Sequence, residues 1–154
     1  MTTDSSILFV GIKEHLVALE ADSGRELWRY RLMPQEGGML DLVLWCVDGD
    51  VIYAASYETV VALNRSTGSP LWVQRTRSSK FTTLHFESGR LYVGAAGELY
   101  CLNPSSGEIL WHNELKGLGR GVLIFATTPA LMVAVIQIVA AASVRAGAIS
   151  ALTG

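Results

Sequence analysis

The side chains best suited to acid–base, nucleophilic or metal chemistry in this 154-residue chain are three histidines, two cysteines and a few aspartates. A metal or catalytic centre needs several such groups converging on one point. His15, His85 and His112 share no spacing and fall in three separate strand-like contexts. Cys46 and Cys101 are isolated, with neither a CxxC spacing nor a histidine cluster beside them, and a buried lone cysteine acts as a small hydrophobe. Asp4, Asp41, Asp48 and Asp50 lie near turns or a strand edge, where carboxylates cap or meet solvent. His85 alone falls on an innermost strand, whose side chains can face a central channel. No G-x-S-x-G, H-E-x-x-H or phosphate-cradling glycine loop is present. Gly117-Leu-Gly119 is half of a dinucleotide fingerprint, but it continues as Arg-Gly and follows no βα unit, so it reads as a flexible connecting loop. No catalytic, cofactor or metal residue is assigned, and no enzymatic activity is expected of the chain.

The elements that would position these residues come from a motif written three times. It reads Ala18-Leu-Glu-Ala-Asp-Ser-Gly24-Arg-Glu-Leu-Trp28, Ala62-Leu-Asn-Arg-Ser-Thr-Gly68-Ser-Pro-Leu-Trp72 and Cys101-Leu-Asn-Pro-Ser-Ser-Gly107-Glu-Ile-Leu-Trp111. The tryptophans are 44 and 39 residues apart, a period that marks repeated supersecondary units. Upstream, Ile7–Gly11, Val51–Ala55 and Arg90–Gly94 correspond, as do Leu16–Leu19, Val60–Leu63 and Leu99–Leu102. After each Gly come Glu26–Tyr30, Pro70–Gln74 and Glu108–His112. Short runs rich in β-branched and aromatic residues, bounded by turn residues, read as strands. Leu42–Val47 and Thr82–Phe86 add a further strand before the second and third units, giving about four strands per unit.

Each motif turn ends in Gly, which reaches φ > 0 without a Cβ clash, and Asp48-Gly-Asp50 and Glu87-Ser-Gly89 supply other hairpin turns. A four-stranded antiparallel meander of roughly 40 residues is one blade of a β-propeller. Trp28, Trp72 and Trp111 then have a packing role, bridging from an outer strand to the neighbouring blade. Ala18, Ala62 and Cys101 leave room for a ring, and Gly24, Gly68 and Gly107 close the turns. These nine are the blade-docking residues. Repetition at blade spacing favours packing over a ligand-stacking box.

This pattern resembles the tryptophan-docking motif of the PQQ-like (quinoprotein-type) β-propeller repeat family, notably in Leu91-Tyr-Val-Gly94 and in Leu63-Asn-Arg-Ser-Thr-Gly68 followed by Trp72. The resemblance spans about Ile7 to Leu115. It implies propeller blades. The family includes dehydrogenases carrying pyrroloquinoline quinone, outer-membrane assembly lipoproteins, sensor ectodomains and proteins with no cofactor. Its enzymes hold the quinone with a vicinal cysteine pair, a tryptophan and a Ca²⁺ bound by Glu, Asn and Asp, beside a catalytic Asp. The chain has no adjacent cysteine pair, so none of those roles carries over and no cofactor is expected.

The fold class expected is all-β, a partial propeller. Residues 1–120 form three four-stranded blades, and residues 121–154 form a degenerate fourth unit or an apolar, partly helical tail. That tail has one charged side chain, Arg145. It reads either as an incomplete blade (Gly121–Ala126, then Ala130–Val135, with a helix near 137–145 before Ile149–Gly154) or as a membrane helix over 130–144, against which Pro129 and Gln137 speak. The net charge of −2 gives no basis for a nucleic-acid partner, and the one local basic group, Arg75, Arg77 and Lys80, reads as a solvated loop. The N-terminus lacks a signal-peptide pattern, so a cytoplasmic protein is expected, with membrane association as the alternative. Three and a half blades cannot close a ring. The expected function is a non-catalytic scaffold or protein-interaction module that completes its ring by self-association. The alternatives are a small-ligand or saccharide binding module using the channel, or a piece of a larger quinoprotein-like enzyme or sensor.

Overall fold

The computed structural model describes residues 6–32, 42–79 and 81–125. The chain divides into two compact units, Met1–Leu123 and Ile124–Gly154. Of the second only residues 124 and 125 are described, so the helix and membrane readings of the tail, and the fourth-blade reading after its first segment, lie outside the described residues; so do Asp4, Asp41 and Lys80, while residues 121–125 of that first segment are in no strand.

The first unit is all-β. Its strands are β1 (Ile7–Ile12), β2 (His15–Glu20), β3 (Glu26–Arg31), β4 (Leu44–Asp48), β5 (Val51–Ser56), β6 (Thr59–Asn64), β7 (Pro70–Arg75), β8 (Thr83–Glu87), β9 (Arg90–Ala95), β10 (Glu98–Leu102) and β11 (Ile109–Asn113). They form three antiparallel meanders, ordered β1-β2-β3, β4-β5-β6-β7 and β8-β9-β10-β11. The partial-propeller class is what the structure shows, with one correction: among the described residues the first sheet has three strands, not four, and lacks the innermost. The outer strand of the third sheet also sits one residue later than Glu108–His112, which restores the frame in which Trp111 matches Trp28 and Trp72.

A β-bulge recurs that the sequence pattern did not announce. Ala18, Ala62 and Cys101 pair directly with Trp28, Trp72 and Trp111, and the register then slips so that Leu19, Leu63 and Leu102 face Glu26, Pro70 and Ile109. The extra residue, Leu27, Leu71 or Leu110, is pushed outward and exposed. The motif turn has a mechanism as well. Gly24, Gly68 and Gly107 sit at φ 71°, 71° and 75°, and each N–H donates to the carbonyl of Glu20, Asn64 or Asn103 at 2.8 Å. The Asn64 side-chain oxygen also accepts from the Ser66 and Thr67 N–H groups at 3.0 Å each, an Asx turn repeated by Asn103 and Ser105.

Sheets pack face to face through two apolar layers. Ala18 and Trp28 of the first sheet meet Ile52, Val61 and Leu63 of the second. Tyr53, Ala62 and Trp72 of the second meet Leu91, Val93 and Leu102 of the third. The same positions therefore serve the same face in successive sheets.

Candidate functional site

The docking geometry is made twice. The Trp28 indole lies over the Gly68 turn so closely that a Cβ on Gly68 would stand 2.6 Å from Cδ2, and its Nε1–H donates to the Arg65 carbonyl at 2.9 Å. Trp72 repeats this on the third sheet: a Cβ on Gly107 would stand 2.5 Å from Cε3, and Nε1–H donates to the Pro104 carbonyl at 2.8 Å. Both acceptors precede the glycine by three residues. Glycine is needed here on two counts, the positive φ and the absence of a Cβ.

Both ends of this series are open among the described residues. Trp111 is 45% exposed, against 8% for Trp28. It touches Tyr92, ring centroids 6.1 Å apart. At the other end, a Cβ on Gly24 would meet nothing within 4 Å. Leu8 of β1 is 51% exposed, whereas Ile52 and Leu91, at the same position of the next two sheets, are at 0%. The first sheet thus presents a receiving face and the third a docking face.

A second cluster lies on the loops at the β9–β10 end of the third sheet. Glu98 is buried, yet it begins a strand. One carboxylate oxygen pairs with the Arg77 guanidinium; the other accepts from the Tyr100 hydroxyl at 2.8 Å and lies 2.9 Å from Nε2 of His112. The Tyr100 and His112 rings stack at 4.4 Å. The Tyr100 hydrogen bond and the pairings with Arg77 and His112 hold the Glu98 carboxyl below its ordinary range, against the opposing effect of burial. A cleft of about 280 Å³ adjoins it, lined by Arg77, Leu115, Lys116 and Arg120 among others. Part of its wall is the Gly117–Gly119 loop, which is exposed, with Leu118 79% open to solvent, and which meets the sheet through the Gly119 carbonyl oxygen, 2.2 Å from where a Gly97 Cβ would be. The first two sheets use a simpler device, a Glu14–Arg31 pair at 3.2 Å and a Glu58–Arg75 pair, where the third has Gly97 and Glu114. In the basic group, Arg75 and Arg77 stay 68% and 54% exposed, and each is paired with a carboxylate.

The remaining sequence candidates do not converge. His15 lies beside Glu14, Nδ1 to Oε1 at 3.8 Å. His85 stacks on Tyr92 at 6.3 Å and lies 3.5 Å from Glu87. Asp50 accepts the Arg65 N–H on its backbone carbonyl at 2.8 Å. Asp48 ends β4 opposite Val51. Cys46 on β4 and Cys101 on β10 are free thiols in different sheets. Burial pushes the Cys46 thiol up to about 12, helped by the Asp48 charge, and burial raises that of Cys101. A quinone clamp needs two adjacent cysteines and a carboxylate-rich cation site. The two thiols stand in separate sheets, and no group of three His, Cys, Asp or Glu side chains suited to a metal is found among the described residues. The residues described here do not fit that cofactor. Neither is any helix among them long and apolar enough to cross a membrane.

Antiparallel meanders of three or four strands joined in series, each docked on the next by one tryptophan, define a β-propeller repeat protein. The family model for outer membrane protein assembly factor BamB matches residues 1–84 and 57–154, and the chain belongs to that family of PQQ-like repeats. It is 30% identical to quinoprotein ethanol dehydrogenase of Pseudomonas putida over 70% of this chain and 21% of that protein. It is 27% identical to the quinoprotein ethanol dehydrogenase of Pseudomonas aeruginosa, over 72% of this chain and 22% of that one. Among solved structures, BamB from Moraxella catarrhalis superposes with a TM-score of 0.57 at 17% identity, over 84% of this chain and 38% of that one. The computationally designed Ika8 protein gives 0.64 at 18%, over 82% and 39%. Quinohemoprotein alcohol dehydrogenase from Comamonas testosteroni gives 0.55 at 19%, over 70% and 19%. At these identities the structures establish the fold. The chain spans about a fifth of the curated relatives' length.

Proposed function

We propose that this chain is a non-catalytic propeller scaffold that binds protein through its two open sheet faces and completes its ring by self-association. The observation that carries this reading is the contrast along two repeated positions: Leu8 is half exposed where Ile52 and Leu91 are fully buried, and Trp111 is exposed where Trp28 is covered. Apolar faces of this kind mark interaction surfaces. The similarity to a protein named as an outer membrane assembly factor favours a protein partner over a small substrate. The mismatch between the described residues and a quinone clamp supports the absence of dehydrogenase activity. Light scattering of the purified chain tests the reading. A defined oligomer is expected, and a stable, folded monomer at high concentration overturns it. Addition of pyrroloquinoline quinone and Ca²⁺ is expected to yield no dye-linked ethanol oxidation.

Two other readings have a specific observation behind them. The cleft beside Glu98, with Arg77 and Arg120 on its wall, favours a small-ligand module that uses the rim rather than the channel. The chain's coverage of a fifth of the dehydrogenases favours a piece of a larger quinoprotein-like protein, in which the missing blades belong to the same polypeptide.

A further inference from the structure

We propose that Trp111 of one copy docks on the Gly24 turn of a second copy, so that two chains close one ring. This rests on the self-association reading and names its contact. The contact is already made twice within the chain, by Trp28 on Gly68 and by Trp72 on Gly107. What recurs is a turn with glycine near φ 71–75° and a carbonyl three residues earlier that accepts the indole N–H. Gly24 has the same φ of 71°, the same N–H bond back to residue 20 and open space above it. Its turn is therefore preformed, and the Ala21 carbonyl stands where Arg65 and Pro104 stand in the other two. Trp111 Nε1 has no acceptor among the described residues.

The strand count points the same way. The first sheet lacks an innermost strand, leaving β1 as an open edge among the described residues. Beyond β11 the chain enters the place that an innermost strand takes. Leu123 passes Gly94, its Cβ 2.6 Å from where a Gly94 Cβ would be, and accepts the Thr83 hydroxyl at 2.8 Å. Val43, just before β4, passes Gly11 at the equivalent site, with its carbonyl oxygen 2.8 Å from where a Gly11 Cβ would be. The segment at Leu123 is thus set to begin a sheet of which β1–β3 of a second copy supply the other three strands. Leu8 is then covered as Ile52 and Leu91 are. Both halves of the contact lie on one chain, which selects a second copy as the occupant. Head-to-tail contacts of this kind close into a ring when the rotation allows, and the three sheets of each copy's described residues give six, within the range of natural propellers.

Light scattering on the full chain and on W111A and G24N tests the assignment. Asn tolerates positive φ, and Gly24 has free space, so G24N keeps the turn while filling the docking site. Circular dichroism should be unchanged in both variants. The wild type is expected at twice the 16.6 kDa chain mass. Each variant is expected to associate more weakly by roughly 30-fold or more, the usual scale for a central tryptophan. An equimolar mixture should regain a dimer, because W111A retains an intact receiving turn and G24N an intact tryptophan. A wild-type monomer overturns the association reading and this contact together. A wild-type dimer that both variants leave intact overturns the contact alone. A mixture that stays monomeric overturns the head-to-tail arrangement, and a larger wild-type assembly overturns the two-copy ring.

Discussion

Trp72 lies flat against Gly107, close enough that a single added methyl at residue 107 would sit 2.5 Å from the indole. The relationship is steric and conformational at once, so Gly107→Ala meets two penalties: left-handed backbone strain of about 1–2 kcal/mol, and overpacking of about 1–3 kcal/mol against a large ring. Gly68→Ala faces the same pair beneath Trp28. Gly24→Ala faces the strain alone, because nothing lies above it. In urea unfolding of the separated chain, Gly68→Ala and Gly107→Ala are expected to lose about 2–4 kcal/mol and Gly24→Ala about 1–2 kcal/mol. Equal losses at all three positions would remove the docking role of the turn.

The tryptophans should rank by what covers them. Trp28→Ala empties a filled interface between the first two sheets and leaves the Arg65 carbonyl without its indole donor, so a loss of about 3–5 kcal/mol is expected. Trp111→Ala removes a ring that is nearly half in water, and its effect on the separated chain should be under about 1.5 kcal/mol. Thermal unfolding at low concentration checks the order, which an equal effect of the two substitutions would contradict.

The architecture was legible in the sequence because the repeat is written in residues that few others can replace. A glycine at positive φ and a large indole at fixed spacing mark the docking contact even without coordinates. The bulge after Ala18, Ala62 and Cys101 was not legible, since a one-residue slip leaves the apolar alternation on either side intact. The Glu98 cluster was hidden for a different reason. Its partners come from three places, Arg77 in a connection, Tyr100 on the same strand and His112 on the next, and only the pairing of β10 with β11 brings the last of them together. The one hint was a carboxylate at the head of an otherwise apolar strand.

Glu98 makes stability depend on acid. Its partners hold the folded carboxyl below the ordinary 4.5, so the folded state binds a proton less readily than the unfolded chain. The contribution is complete above about pH 4.5 and is lost as pH falls through the lower, folded value. Tyr100→Phe removes the largest cause of that depression. At neutral pH the loss should be about 1.5–3 kcal/mol, the scale of a hydrogen bond to a charged group. Between pH 5.5 and 3 the variant should lose less stability than the wild type. Parallel urea midpoints across that range would show that the hydroxyl does not set the carboxyl's affinity for protons.

The two thiols should be silent in the folded chain. Nucleophilic reactivity follows the thiolate, and a Cys46 thiol pushed up to about 12 is almost wholly protonated at pH 8. Cys101 is buried beneath the third sheet's docking face, paired across the strands with Trp111, and its thiol is raised by the same burial. Relative to an ordinary cysteine, Cys46 should react with a disulfide reagent roughly a thousandfold more slowly, in proportion to its thiolate fraction. Both cysteines are expected to label rapidly in denaturant. Because Cys101 lies under Trp111, Trp111→Ala should open it selectively, raising its labelling rate while leaving Cys46 slow. Mass spectrometry of the labelled chain separates the two sites, and acceleration at Cys46 alone would contradict the placement of Trp111 over Cys101.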